Sequence, residues 1–263
     1  MPLTDFQANV ARLLAEHRSE DSHLAGGAAL HLDPGGKRFS NDLDYFHDSE
    51  ARVASAFASD DALLRREGYE IEIELKLPGY IRAIVSKEGP STKIEWAHDS
   101  AWRFMPAVRD HRVGYRLHPI DIAVNKLLAL VGRDEPRDFL DVVYIDAELL
   151  PLGALCWAAA GKDPGFTPDA LLELLRRRGR YRAEDFRRLR LTEEVDLPKL
   201  KARWLQMLSE AETFIRSRPP EELGCLYWSR SDGRFVAPAE PSPDIVPHHG
   251  RPGGVLPLAV PSD

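Results

Sequence analysis

Asp42 and Asp44 flank Leu43 in the run Ser40-Asn41-Asp42-Leu43-Asp44-Tyr45-Phe46. On a β-strand, residues two apart point to the same face. The two carboxylates therefore project side by side, while Leu43 and Tyr45 face the other way. Like charges this close repel, and each raises the pKa of the other. A divalent cation removes that penalty and takes oxygen ligands from both. Upstream stand Gly26 and Gly27. Neither carries a Cβ, so the backbone there can come close to a bulky anion. A phosphate cradle beside a carboxylate pair is what metal-assisted phosphoryl or nucleotidyl transfer requires.

These residues need elements to position them. Thr4 to His17 reads as a helix, with Thr4 and Gln7 as a capping box and Phe6, Val10, Leu13 and Leu14 on one face. A short strand ends at Leu24-Ala25, and Gly26-Gly27 opens a helix through Leu30 whose N-terminus would face an anion. Asp33-Pro34-Gly35-Gly36-Lys37 is turn chemistry. The carboxylate strand runs from about Ser40 to Phe46. Asp48 to Glu67 is helical, with a break expected near Ser59 and Gly68 as the C-cap residue. Three strands follow, over 69–77, 80–85 and 92–97, with Ile71, Ile73, Leu75 and Leu77 expected on one side of the first. After Leu117 the pattern turns helical, over 119–131, from Pro136 onward, and over 152–160, 167–178 and 197–217. A hairpin is expected within 224–236, around Ser231-Asp232-Gly233, and 238–263 reads as a mobile Pro-rich tail.

The fold class that follows is α+β. A core with a mixed sheet flanked by helices occupies 1–117, an α-helical domain 118–218, and a small hairpin and tail 219–263. The 263 residues supply ample length for a buried core, and 43% hydrophobic with 29% charged residues is ordinary for a globular protein. No apolar run is long enough to span a bilayer. The N-terminus lacks a signal peptide, and two cysteines make no disulfide framework, so a cytoplasmic protein is expected. A net charge of −7 argues against a wholly basic nucleic-acid binder and leaves room for a local basic patch.

Two motifs carry a family resemblance. Gly26-Gly27-Ala28-Ala29-Leu30 with Arg38-x-Ser40-x-Asp42-Leu43-Asp44-x-Phe46 resembles the first motif of the AbiEii/AbiGii-type nucleotidyltransferase toxins, within the DNA polymerase β-like superfamily. The second lies at Asn125-Lys126-Leu127-Leu128-Ala129-Leu130, with Arg133, Arg137, Asp138 and Asp141 following at family spacing. Together they span about residues 22 to 145.

The resemblance implies a Mg²⁺-dependent enzyme that moves a nucleoside monophosphate from an NTP to an acceptor hydroxyl. A pair of Mg²⁺ ions about 4 Å apart would be held by Asp42 and Asp44. A third carboxylate is expected from a neighbouring strand. Glu95 is favoured over Glu72 and Glu74, which sit on an alternating strand that faces water. Arg38 and Ser40 match the family pattern beside the phosphates, and Lys126 matches its phosphate-contacting lysine. Arg133 lies on the same helical stripe as Lys126, so the two could present positive charge to the triphosphate together. Asp138 matches a functional carboxylate, and otherwise serves as a favourable charge at a helix start. The family role is the toxin of a toxin–antitoxin or phage-defence pair, with tRNA as acceptor and a cognate antitoxin as a possible partner. The arginines from Arg176 to Arg190, among them Arg177, Arg178 and Arg180, would hold RNA, or form a solvated surface. Two rival readings remain. One is transfer to a small molecule, as in antibiotic-modifying relatives. The other is a non-catalytic nucleotide-binding regulator with the same fold.

Overall fold

Strand pairing dominates the first of two compact units, which takes in residues 1–122, 190–192 and 252–254. The computed structural model describes residues 3–33 and 35–257. Met1, Pro2, the turn residue Pro34 and the last six residues of the expected tail lie outside the described residues. In chain order the unit contains α1 (Asp5–Leu14), β1 (Ser22–Ala25), α2 (Gly26–Leu30), β2 (Asp42–His47) and α3 (Glu50–Arg66). Then come β3 (Glu70–Leu77), β4 (Tyr80–Ser86), β5 (Ser91–His98), the short β6 (Trp102–Arg103), β7 (Val108–Asp110) and β8 (Gly114–Arg116). Seven described strands form one sheet in the order β3-β4-β5-β2-β1-β8-β7. The β2–β5 and β1–β8 pairs are parallel and the rest antiparallel, so the sheet is mixed.

Alternation explains the core. Leu43 and Tyr45 of β2, Ile94 and Trp96 of β5, and Ile81, Ala83 and Val85 of β4 are all buried. On this face α3 brings Phe57 edge-on to Trp96, with ring centroids 5.1 Å apart. Asp60 of α3 is buried there and fully engaged. It accepts from Arg18 Nη2 at 2.6 Å and from Trp96 Nε1 at 2.7 Å, and lies 2.8 Å from His17 Nδ1. A buried carboxylate persists only when matched in this way.

Local signals fix several ends. Thr4 and Gln7 make both bonds of the capping box on α1. The break expected near Ser59 is absent, because α3 continues its buried stripe from Val53 through Ala56, Phe57 and Asp60 to Leu63, with Ser59 on the exposed side. The even alternation expected along β3 fails for a different reason. A bulge between Ile73 and Leu75 shifts the register, so Ile73 pairs with Ala83 but Leu75 with Arg82. Leu75 and Leu77 are thereby moved to the opposite face from Ile71, where they stay exposed.

The second unit comprises residues 123–189, 193–251 and 255–263. Its helices are α4 (Pro119–Arg133, whose first turn belongs to the first unit), α5 (Pro136–Glu148), α6 (Leu152–Lys162), α7 (Pro168–Leu175), the short α8 (Ala183–Phe186) and α9 (Leu197–Arg216). The compact-unit division thus falls one turn beyond the sequence division at 117/118. In α6, Leu152 to Ala160 are buried on every side, as an apolar run without periodicity requires. Strands β9 (Leu226–Ser229) and β10 (Arg234–Val236) form the expected hairpin.

The expected mobile tail needs correction. Residues Ile245–His248 form β11, which pairs with β9 as the third strand of a small sheet. Four residues interrupted by Pro247 are too short to show strand alternation in the sequence. No helix among the described residues is long and apolar enough to cross a membrane. Cys156 and Cys225 are buried and free.

Candidate active site

The register between β2 and β5 builds the site. Asp42 pairs with Lys93 and Asp44 with Glu95, in parallel. All four side chains therefore share the face opposite Leu43, Tyr45, Ile94 and Trp96. One carboxylate oxygen from each of Asp42, Asp44 and Glu95 lies within 4.8 Å of the other two. Asp42 is buried, and Asp44 and Glu95 are half-buried. Glu95 is thus the third acid brought to the pair. Glu72 and Glu74 lie exposed on the edge strand β3, separated from β5 by β4.

The glycine pair has an internal reason to exist. Gly26 adopts φ +62°, and a Cβ there would stand 2.0 Å from Asp44 Oδ2. A Cβ on Gly27 would stand 2.5 Å from Arg38 Nη2. The absent side chains leave room for a site carboxylate and a buried guanidinium of the chain itself. Arg38 is buried, with Nη1 donating to Phe39 O at 3.3 Å, so its guanidinium is seated against the Gly27 turn. The helix that this turn opens, α2, is only five residues long. Ser40 is buried and its hydroxyl donates to Asp42 Oδ1 at 3.3 Å. The loop carrying Ser40 is anchored in turn by Gln7 Nε2, which donates to Ser40 O at 3.1 Å and to Thr92 Oγ1 at 3.2 Å.

Two cations were not foreseen. Lys93 Nζ lies 3.0 Å from Asp42 Oδ2 and 3.0 Å from Glu95 Oε1. Arg82, opposite Glu95 on β4, donates Nε to Glu95 Oε1 at 3.1 Å and Nη2 to Tyr80 Oη at 2.7 Å. The signal was present for Lys93: Lys93-Ile94-Glu95 has the same alternation as Asp42-Leu43-Asp44. Burial alone would raise the Glu95 carboxyl. Hydrogen bonds from Lys93 and Tyr80, with the charges of Lys93 and Arg82, outweigh it and hold Glu95 below the usual carboxylate range. Burial likewise works to lower the Lys93 ammonium, but its bonds to Glu95 and Asp42 raise it above the usual lysine range.

Comparisons with solved structures bear on the fold. The nucleotidyltransferase toxin MenT4 from Mycobacterium tuberculosis is 15% identical, with a TM-score of 0.54 over 82% of this chain and 83% of that one. JHP933 from Helicobacter pylori is 19% identical, with a TM-score of 0.48 over 80% of this chain and 90% of that one. The chain has the nucleotidyltransferase fold. No protein-family model matches the sequence, and no curated protein matches it.

In this nucleotidyltransferase fold, the residues of the second motif form a cluster of their own within the second unit. Lys126 is buried on α4, donating to Asp138 Oδ1 at 3.0 Å and lying 2.8 Å from Asp141 Oδ2. Arg133 donates Nε to Asp138 Oδ2 at 2.6 Å. The Lys126–Arg133 stripe is therefore real, and in this unit it converges on Asp138. Burial tends to raise the Asp138 carboxyl, but Lys126 and Arg133 bring it below the usual range. The alternative reading of Asp138 as a helix-start charge also holds, since it lies in the first turn of α5.

The arginines of the run are engaged to different degrees. Arg176 bonds Glu212 at 2.5 Å, and Arg178 bonds Val131 O and Asp134. Arg177, Arg180 and Arg188 are exposed.

The donor set on the sheet face suits a hard divalent cation. Three converging carboxylates offer oxygen ligands of the kind that Mg²⁺ takes, and the turn at Gly26 keeps one of them from being displaced.

Proposed function

We propose that this chain is a divalent-cation-dependent nucleotidyltransferase, transferring a nucleoside monophosphate from an NTP to an acceptor hydroxyl with release of pyrophosphate. The observation that carries the reading is the convergence of Asp42, Asp44 and Glu95 within 4.8 Å on two paired strands of a nucleotidyltransferase fold. Asp42, Asp44 and Glu95 would hold the metal. When bound, Mg²⁺ would neutralise the triphosphate and the developing charge of an in-line displacement. Ser40 fixes the Asp42 carboxylate. Glu95, kept ionised by Lys93, Tyr80 and Arg82, is suited to be a ligand rather than a proton acceptor. The protein's share is positioning and charge neutralisation on a rigid sheet, without a covalent step.

The finer reading is a toxin that modifies tRNA. Its support is the two-motif resemblance and the exposed arginines Arg177, Arg180 and Arg188. Lys126 is assigned to the triphosphate by that resemblance, with Asp138 and Asp141 as the carboxylates that hold it in place. A cognate antitoxin would accompany such a toxin.

Incubation with labelled NTPs, Mg²⁺ and total tRNA tests the reading. Label on RNA that is lost in Asp44→Ala, with the variant still folded, is the expected result. Label confined to small acceptors would replace the tRNA assignment, and nucleotide binding without transfer would make the chain a regulator. Unchanged turnover in Asp44→Ala would defeat the metal site.

A further inference from the structure

Lys93 stands where a two-carboxylate metal ligand set would close on an ion. Its ammonium is equidistant, at 3.0 Å, from Asp42 Oδ2 and Glu95 Oε1. It reaches that position from the same strand face as Glu95, two residues away, and directly beside Asp42 in the β2–β5 register. Its side chain keeps a 30% exposed flank, so it has solvent to move into. Arg82 differs in one decisive respect. It meets Glu95 from the β4 side and touches neither aspartate in its ion pairing.

The ammonium is seated between Asp42 Oδ2 and Glu95 Oε1. A divalent ion held by these carboxylates would meet it as a like charge a few ångströms away, and such charges repel strongly at a partly buried site. Resting on the metal-site reading above, we infer that Lys93 is an internal counter-cation of this site, one that a divalent ion must displace from Asp42 and Glu95 in order to bind. Lys93 thus sets the metal concentration at which the site fills. In the ion-free protein it also holds together a carboxylate cluster that would otherwise repel itself apart. The long, flexible lysine stem allows this exchange, whereas a bidentate arginine would resist it.

The experiment is a Mn²⁺ titration of the full chain without nucleotide, with free Mn²⁺ read by electron paramagnetic resonance. Lys93→Met and the more polar Lys93→Gln are expected to bind Mn²⁺ at least about tenfold more tightly than the unaltered protein. Arg82→Met removes the same unit charge from the same glutamate without vacating the bridging position, and is expected to change affinity by less than about threefold. Equal affinity in the Lys93 variants and the unaltered protein overturns the inference while leaving the metal site intact. So does an equal gain in Arg82→Met, which would reduce the effect to through-space charge. If no variant binds Mn²⁺, and Asp44→Ala behaves like the rest, the metal-site reading itself falls.

Discussion

Replacing Gly26 by alanine tests whether the turn exists to admit Asp44. The backbone at Gly26 has φ +62°, and an added Cβ would lie 2.0 Å from Asp44 Oδ2, 2.9 Å from its Cγ and 3.1 Å from its Cβ. Two costs follow. An alanine in the left-handed region costs about 1–2 kcal/mol. Forcing the carboxylate aside adds roughly 1–3 kcal/mol, the usual penalty of overpacking a fixed site. Only the second cost depends on Asp44. In an Asp44→Ala background the nearest atom left is the Cβ at 3.1 Å, which a small shift accommodates. Gly26→Ala should therefore destabilise the protein by about 2–5 kcal/mol alone, but by only about 1–2 kcal/mol beside Asp44→Ala, a coupling of roughly 1–3 kcal/mol. Urea denaturation followed by tryptophan fluorescence measures all four corners, since Trp96 is buried behind the same strands. A coupling near zero would show that the glycine serves its backbone conformation alone. In a transfer assay Gly26→Ala should lose about a hundredfold, the cost of misplacing a catalytic group by about 1 Å.

Other perturbations address the rest of the molecule. Lys126→Met removes a buried cation that Asp138 and Asp141 share, and should cost about 3–5 kcal/mol in urea denaturation; a loss below about 1 kcal/mol would mean that their other contacts suffice. His23 and His47 are held neutral chiefly by burial, aided by the charges of Arg103 and Arg18, with pKa lowered to about 4 and about 3. The unfolded chain takes up these protons below about pH 6.5, so stability present above that pH is lost on acidification, by about 2 kcal/mol per histidine at pH 5. A flat stability profile between pH 7 and pH 5 would refute the assignment. Charge reversal of Arg177, Arg180 and Arg188 should weaken RNA binding and flatten its dependence on salt, and an unaltered salt slope would return them to ordinary solvated surface.

The sequence was most legible where a pattern repeats within one element. Asp42-Leu43-Asp44 alternates, which is why the carboxylate pair on one face of β2 could be read directly. Pairing between strands is a different kind of information. That Glu95 rather than Glu72 meets the aspartates depends on β5 lying beside β2, a long-range choice no local period encodes. The bulge in β3 was invisible for the same reason. It answers to its partner Arg82, and the run Ile71-Glu72-Ile73-Glu74-Leu75 gives no sign of a slip. For Lys126 the helix period placed it correctly beside Arg133, but the partners Asp138 and Asp141 come from the next helix. At the glycine pair the missing Cβ is legible in the sequence, and the group that comes close to it is not. What approaches it is a carboxylate and a guanidinium of this chain.

The two faces of β2 and β5 account together for why the site can be rigid and charged at once. On one face Tyr45, Trp96 and Phe57 pack around Asp60, whose carboxylate is held by Arg18 and the Trp96 indole. Arg18 also lies 4.5 Å above the Tyr45 ring, tying β2 to that cluster. Every second residue is thereby locked, and the intervening Asp42, Asp44, Lys93 and Glu95 inherit the backbone this locking fixes. Mutual repulsion of the carboxylates cannot then be relieved by strand movement. It has to be relieved by a cation on the open face. Lys93 meets that need at Asp42 and Glu95, with Arg82 supporting Glu95 from its flank. A rigid anionic sheet face with a movable counter-charge is suited to exchange one cation for another without refolding. Loosening the core behind it, as Phe57→Ala would, should therefore weaken Mn²⁺ binding even though Phe57 lies on the far side of the sheet. Mn²⁺ affinity unaffected by that substitution, in a protein shown to be destabilised, would separate the two faces and refute the coupling.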